Sequence, residues 1–205
     1  LEEVIVCDLF QEKADAFAAE MAEKGMVEVT NMSEMFLTRE KNQPGTVTTA
    51  ILEGTSTLLL ELQALTTHSY YNMPRRVTTG IDVNRLNLLL AVIEKVCGIN
   101  LGTQDVYINV VGGIKITEPA SDLAVAMAII SSYKGKALNN DSVFIGELAL
   151  TGEIRRVVNI EKRIKEAVKL GYKTIYTTKY GLEKIELPQG VKLVKVNNIK
   201  DLVAR

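Results

Sequence analysis

The sequence predicts a mixed α/β domain behind an N-terminal appendage, and three observations predict it. From Thr46 onward, β-branched runs alternate with segments whose apolar residues recur every three or four positions. A polar stretch with Pro and Gly, REKNQPG at 39–45, separates that region from a helix-forming first segment. Hydrophobic residues make up 47% of the 205 and charged residues 24%, a mix that can bury a core and does not read as disordered. The expected division is an appendage over residues 1–43 and an α/β domain, a mixed sheet with helices, over 44–205.

In chain order, residues 11–24 carry good helix formers, with Phe10, Ala14, Phe17 and Met21 at helical spacing and Gly25 as a stop. Residues 26–29 suit a short strand, and 33–37 a brief helical turn. TVTTAILEG at 46–54 and TLLLELQALTTH at 57–68 read as a β-hairpin, the second strand half-buried with Glu61 and Gln63 on its wet side. HSYYNMPRR at 68–76 is a loop. Asp82 or Asn84 caps a helix ending near Cys97, with Leu86, Leu89, Leu90 and Ile93 inward and Gly98 beyond its end. Residues 105–111 form a strand, with Gly112 and Gly113 as its turn or bulge. Pro119 opens a helix to about Tyr133 whose small residues suit close packing on a sheet. VFIGELAL at 143–150 reads as one strand, turning at Thr151–Glu153 into IRRVV. Asn159 caps a helix over 160–170, stopped by Gly171. Strands at 174–177 and 192–196 and a helix at 199–203 complete the chain.

Composition excludes several classes. One histidine, His68, rules out a His-rich metal site, and Cys7 and Cys97 have neither zinc spacing nor a disulfide framework. No metal ligation is expected. No run reaches the roughly 18 apolar residues of a membrane span. The acidic start LEEVIVCDLF has no basic n-region, so no signal peptide and a cytoplasmic location are expected. The net charge of −1 conceals a net of −6 over residues 1–100 and +5 over 101–205, a polarity that suits head-to-tail assembly or an anionic partner.

No GxxxxGK[ST] or GxGxxG loop is present, so nucleotide hydrolysis by this chain is not expected. Arg75 and Arg76 follow Pro74 in a loop with Tyr70 and Tyr71, a set that suits phosphate oxygens and base stacking, or else a solvated pair. Arg155, Arg156, Lys162, Arg163, Lys165 and Lys169 read as a solvated helix face. Ser121 stands in a helix first turn, where backbone N–H groups could support a nucleophile, or where it caps those groups itself.

Five blocks carry a family resemblance: GMVEVTNMSEMFL, LLLELQALT, MPRRVTTGIDVNRLNLLLAVIEK, QDVYINVVGGIKITEPASDLAVAMAI and GELALTGEIRRVVNIEKRIKEAVKLGY. Through them the chain resembles, from Met26 to about Val196, the C-terminal part of the bacterial RadA (Sms) DNA-repair family. The resemblance implies a Lon-protease-like domain that follows a RecA-like ATPase core. Lon proteases hold their Ser in a Gly-Pro-Ser-Ala-Gly turn and their Lys in a Gly-Gly-Leu-Lys stretch. Here Pro119 matches the Pro, Ala120 takes the nucleophile's place, and Glu161 falls where the Lys belongs. One helical step rotates a side chain by about 100°, so the neighbours Ser121 and Lys162 are out of register. No catalytic residue is expected; the alternative is a serine peptidase with a shifted Ser121/Lys162 dyad.

By the same resemblance the domain holds a ring, expected to be a hexamer, and offers a basic face to DNA. Arg76, Arg85 and Lys115 are the first expected phosphate contacts, with Arg75, Arg155 and Arg156 second. A RecA-type recombinase is an implied partner, and a membrane is not. The parent protein would be a DNA-dependent ATPase of recombinational repair. No cofactor is expected in this chain: ATP with Mg, and Zn, would belong to N-terminal domains outside it. The family's Lys-Asn-Arg-Phe-Gly motif is missing, and residues 1–20 do not match the family.

Overall fold

A computed structural model describes residues 33, 36, 37, 43–54, 56–182 and 185–203. The chain divides into two compact units, Leu1–Met35 and Phe36–Arg205; the first holds a single described residue, Ser33, and every element below belongs to the second. The helix expected at 11–24 and the strand at 26–29 lie outside the described residues, as does most of the polar stretch at 39–42.

The second unit is built on a seven-stranded, mostly parallel sheet. Its strands are β1 (Thr46–Glu53), β2 (Ser56–His68), β3 (Arg76–Thr79), β4 (Gln104–Val110), β5 (Ser142–Phe144), β8 (Thr174–Thr178) and β9 (Lys192–Val196), and β6 (Glu147–Leu148) pairs separately with β7 (Ile154–Arg155). The large sheet runs β3-β4-β2-β1-β5-β8-β9. β1 and β2 form the expected antiparallel hairpin, in register from Thr46 opposite Gln63 to Glu53 opposite Ser56, and β4 also runs antiparallel to β2. The remaining neighbours are parallel; the connections β3 to β4, β1 to β5 and β5 to β8 contain helices α1 (Val83–Cys97), α2 (Asp122–Lys134) and α3 (Ile160–Lys169), while that from β8 to β9 has no helix among the described residues. A last short helix, α4, spans Lys200–Val203.

Helix α1 has the expected ends: the Asp82 side chain accepts from the Arg85 N–H, and Gly98 adopts the left-handed conformation that a side chain would strain. Leu86, Leu89, Leu90 and Ile93 are buried as its periodicity requires. Helix α2 is buried along ten consecutive residues, Asp122–Ser131, and packs against β1 and β2. Its small residues allow that enclosure. Helix α3 covers the other face of the sheet, where Ile160, Ile164 and Ala167 meet Ala50, Leu59, Val143 and Ile175.

Four expectations change. Residues 76–79 form edge strand β3, although the sequence puts Arg76 in the loop and assigns 77–79 to no element; four residues carry too little pattern to stand out. Glu61 is buried rather than wet, because its side of β2 is covered at that position. The strand expected over 143–150 breaks at Ile145–Gly146, where the backbone turns toward the start of α2: the Gly146 N–H donates to Ala120 O at 2.8 Å, and the Leu123 N–H donates to Gly146 O at 3.1 Å. A Cβ on Gly146 would stand 2.6 Å from Ile154 Cγ2, so any larger residue would have to displace the buried Ile154 side chain. Asn159 begins α3 without a side-chain cap; it holds a left-handed φ of 54° instead.

Candidate functional site

The turn Glu118–Asp122, between β4 and α2, carries Ala120 and Ser121, the residues that the sequence resemblance sets against a peptidase nucleophile. Pro119–Ser121 form one 3-10 turn that leads straight into α2. Ala120 is buried in the core that Val157, Ile160 and Ile164 share, so apolar side chains fill the space beside it. Ser121 is buried too, and its hydroxyl donates to the Glu118 carbonyl at 3.4 Å. Lys162 and Glu161 are both exposed on α3. No hydrogen bond joins Ser121 to Lys162 among the described residues, so the structure does not bring the shifted dyad together.

Arg163 occupies the interior of this region. It lies on the inward face of α3 with Ile160, Ile164 and Ala167, and its side chain is 0% exposed. Its Nη1 donates to Glu118 Oε1 at 2.7 Å and to Ala50 O at 2.6 Å, its Nη2 to Glu118 Oε2 at 2.5 Å, and its Nε to Val158 O at 3.0 Å. Glu118 Oε1 also accepts from the Leu52 N–H at 2.8 Å. One ion pair thus ties α3, β1 and the turn before α2 together. The reading of Arg163 as part of a solvated face is corrected. Its spacing of three from Ile160 was the available signal, since that places it on the apolar stripe.

The expected phosphate contacts divide by what their donors already do. Arg85 reaches from α1 to Asp122, donating through Nε at 2.8 Å and again through Nη2. Asp122 also accepts from the Leu148 N–H at 3.1 Å. Burial pushes the Asp122 carboxyl up, and the Arg85 fork and the Leu148 N–H oppose that rise. The bond to Asp122 raises the Arg85 guanidinium in turn. Arg76 Nη1 donates to Gln104 O and to Arg75 O at 3.0 Å, and Nη2 to Leu101 O at 3.0 Å. Arg75 stacks over the Tyr71 ring at 4.4 Å. Lys115, Arg155 and Arg156 are exposed: Lys115 in the loop after Gly113, Arg155 on β7, and Arg156 alongside Gly181.

A separate cavity of about 220 Å³ opens near the start of β1, lined by Thr48, Glu61, Asp141, Ser142 and Tyr172 among others. The Tyr172 and Thr48 hydroxyls stand 3.2 Å apart, and burial pushes the Tyr172 phenol up. None of the catalytic or DNA-contact residues expected from the sequence lines it. Among the described residues there is no group of His, Cys, Asp and Glu able to hold a metal ion, and no helix is long and apolar enough to cross a membrane.

Residues 82–179 match the family model described as subunit ChlI of Mg-chelatase. The chain is 47% identical over 181 residues to the DNA repair protein RadA of Streptococcus pyogenes, covering 88% of this chain and 40% of that protein. It is 46% identical over 187 residues to the protein of the same name from Streptococcus pneumoniae, covering 91% and 44%, and 45% identical over 183 residues to that from Bacillus subtilis, covering 89% and 40%. The chain therefore spans about two-fifths of the length of these curated relatives.

Proposed function

This chain belongs to the DNA repair protein RadA family, matching curated members over 88–91% of its residues, and from that premise we propose that it is a Lon-like module without peptidase activity. Its work is to join copies of the parent protein in a ring, a hexamer by the family resemblance, and to offer a surface to DNA. The observation that carries the absence of peptidase chemistry is Ala120, buried among core side chains where the resemblance puts the nucleophile. A methyl group cannot attack a carbonyl, and an exposed Glu161 has the wrong charge to replace a lysine base.

The DNA contacts proposed are Arg76, Arg85 and Lys115, then Arg75, Arg155 and Arg156. Lys115, Arg155 and Arg156 are exposed, whereas Arg76 and Arg85 are half-buried and already donate to carbonyls and to Asp122, so the first three are the strongest of these. Contacts of this kind act on phosphates and give affinity without sequence preference. The parent protein would be a cytoplasmic, DNA-dependent ATPase acting with a RecA-type recombinase, its ATP, Mg and Zn held by domains outside this chain.

The test is a paired assay on the 205-residue chain. It should bind single- or double-stranded DNA with an affinity that falls steeply with salt, and hydrolyse no peptide across a range of pH. Hydrolysis that disappears in Ser121→Ala would overturn the proposal in favour of the shifted dyad.

A further inference from the structure

We propose that the cavity where β1 and β5 begin is a binding site for a small primary amine, held as its ammonium. None of its lining residues is among the DNA contacts proposed above. β1 and β5 are parallel neighbours with one register pair, Thr48 opposite Val143, and the cavity opens beside it. The loop 138–141 before β5 and residues 170–172 after α3 also line it. Its volume of about 220 Å³ is roughly seven times the share of one water in the liquid, room for a whole small molecule.

The polar lining is rich in acceptors. Thr48 stands opposite Glu61 in the β1–β2 hairpin, and register partners share a face. The Tyr172 hydroxyl lies 3.2 Å from that of Thr48. Burial raises the Tyr172 phenol, the Thr48 hydroxyl opposes the rise, and the negative charges of Glu61 and Asp141 add to it. Both carboxylates therefore act on one phenol, which stays a neutral hydroxyl. Glu61 is 4% exposed, and its Oε1 accepts from Gln63 Nε2 at 2.8 Å. Alternating residues, Val47 with Thr48 and Asp141 with Ser142, all line the cavity, so it reaches round the strand starts to both faces of the sheet. Ser142 is 3% exposed, yet its Oγ has no hydrogen-bond partner among the described residues. A buried hydroxyl without a partner is uncommon in a folded protein, and in a cavity wall it marks a place for a ligand atom.

The lining selects the ligand. Its described residues include two carboxylates and no Lys, Arg or His, so the wall repels an anion and draws a cation. Inside a cavity that preference is stronger than at the surface, because less water screens the charges. An ammonium donates hydrogen bonds and accepts none, which suits carboxylate and hydroxyl oxygens. Leu138 and Leu170, both partly buried, supply apolar wall for a short alkyl stem. A bare metal ion fits worse, since no group of His, Cys, Asp and Glu able to hold one occurs among the described residues.

The experiment is an amide NMR titration of the 205-residue chain with n-butylamine at neutral pH, beside its uncharged and anionic counterparts 1-butanol and butyrate. Butylammonium should give saturable shifts confined to Thr48, Glu61, 138–142 and 170–172 and their neighbours. Butanol should bind about tenfold or more weakly, and butyrate not at all. Glu61→Gln and Asp141→Asn should each remove most of that preference. Thermal melts without ligand show which variants are folded; Asp141 is only half-buried, so Asp141→Asn carries the test where Glu61→Gln does not fold. An unchanged preference in the folded variants overturns the proposal, as does butanol binding as tightly as butylammonium. Shifts that never saturate, or that spread over the acidic surface, overturn it too. Tighter binding of a blocked lysine amide than of butylammonium would assign the site to a partner protein's side chain and sink the small-ligand reading.

Discussion

Arg163 and Glu118 meet through two hydrogen-bonded contacts, at 2.7 and 2.5 Å, with Glu118 two residues before Ala120. The pair joins residues 45 positions apart and fixes α3 against the entry to α2. In this region the buried pair holds three elements together.

Arg163→Ala should therefore be strongly destabilising. Removing the guanidinium leaves the Ala50 carbonyl without this donor and Glu118 with the Leu52 N–H in place of its ion pair. The expected cost is about 3 kcal/mol, at the low end of the range for such pairs because Glu118 is one-quarter exposed. Urea unfolding read by circular dichroism measures it; a midpoint equal to that of the parent sequence would show that the pair contributes nothing.

Restoring a hydroxyl at Ala120 should not restore hydrolysis. Ala120→Ser puts a hydroxyl into an apolar cluster with no base beside it, at a cost of about 1–3 kcal/mol. Peptide turnover by this variant, against none in the parent sequence, would contradict the structural role of the position.

The basic residues should separate into two groups. Alanine at Lys115, Arg155 or Arg156 should weaken DNA binding about equally for all sequences, lower the salt slope by about 1, and leave stability unchanged. Arg85→Ala should also lower stability, because it strips Asp122 of its partner. Binding isotherms at several salt concentrations, beside thermal melts, distinguish the groups. Arg85→Ala with an unchanged melt would refute this division.

Acid should loosen the loop 69–75. The Arg75 N–H, and after it Ser69 and the nearby Arg75 and Arg76 charges, hold the Asp105 carboxyl below its ordinary range. A depressed carboxyl stabilises the fold above its unfolded pKa, and that contribution is lost as pH falls through the lower folded value. Hydrogen exchange at Arg75 should therefore accelerate as pH drops below the usual carboxylate range, after correction for intrinsic rates. In Asp105→Asn the acceleration should vanish; its persistence would mean another group controls the loop.

Much of the fold was legible in the sequence because it is written in local periodicity. The β1–β2 hairpin, the inward leucines of α1 and strand β9 follow from spacings of two or three to four within one segment. β3 was too short to register. The strand expected over 143–150 divides because Gly146 is held by Ala120 and Leu123, contacts that no local pattern contains. The alanine at 120 and the glutamate at 161 were also readable, since a missing functional group shows in the residue type alone.

The sequence by itself determined which residue types stand at each place: an α/β chain with no Walker loop, no histidine cluster and no serine or lysine at the two aligned positions. Only the tertiary structure decided what the charged residues do. Arg163 turned out to be core, Arg85 the partner of Asp122, and Arg76 a donor to carbonyls. The cavity that joins Glu61 to Tyr172 was likewise invisible. Periodicity states which side chains share a face, but whether that face is covered, and which acid an arginine meets, depends on segments tens of residues away that only folding brings together.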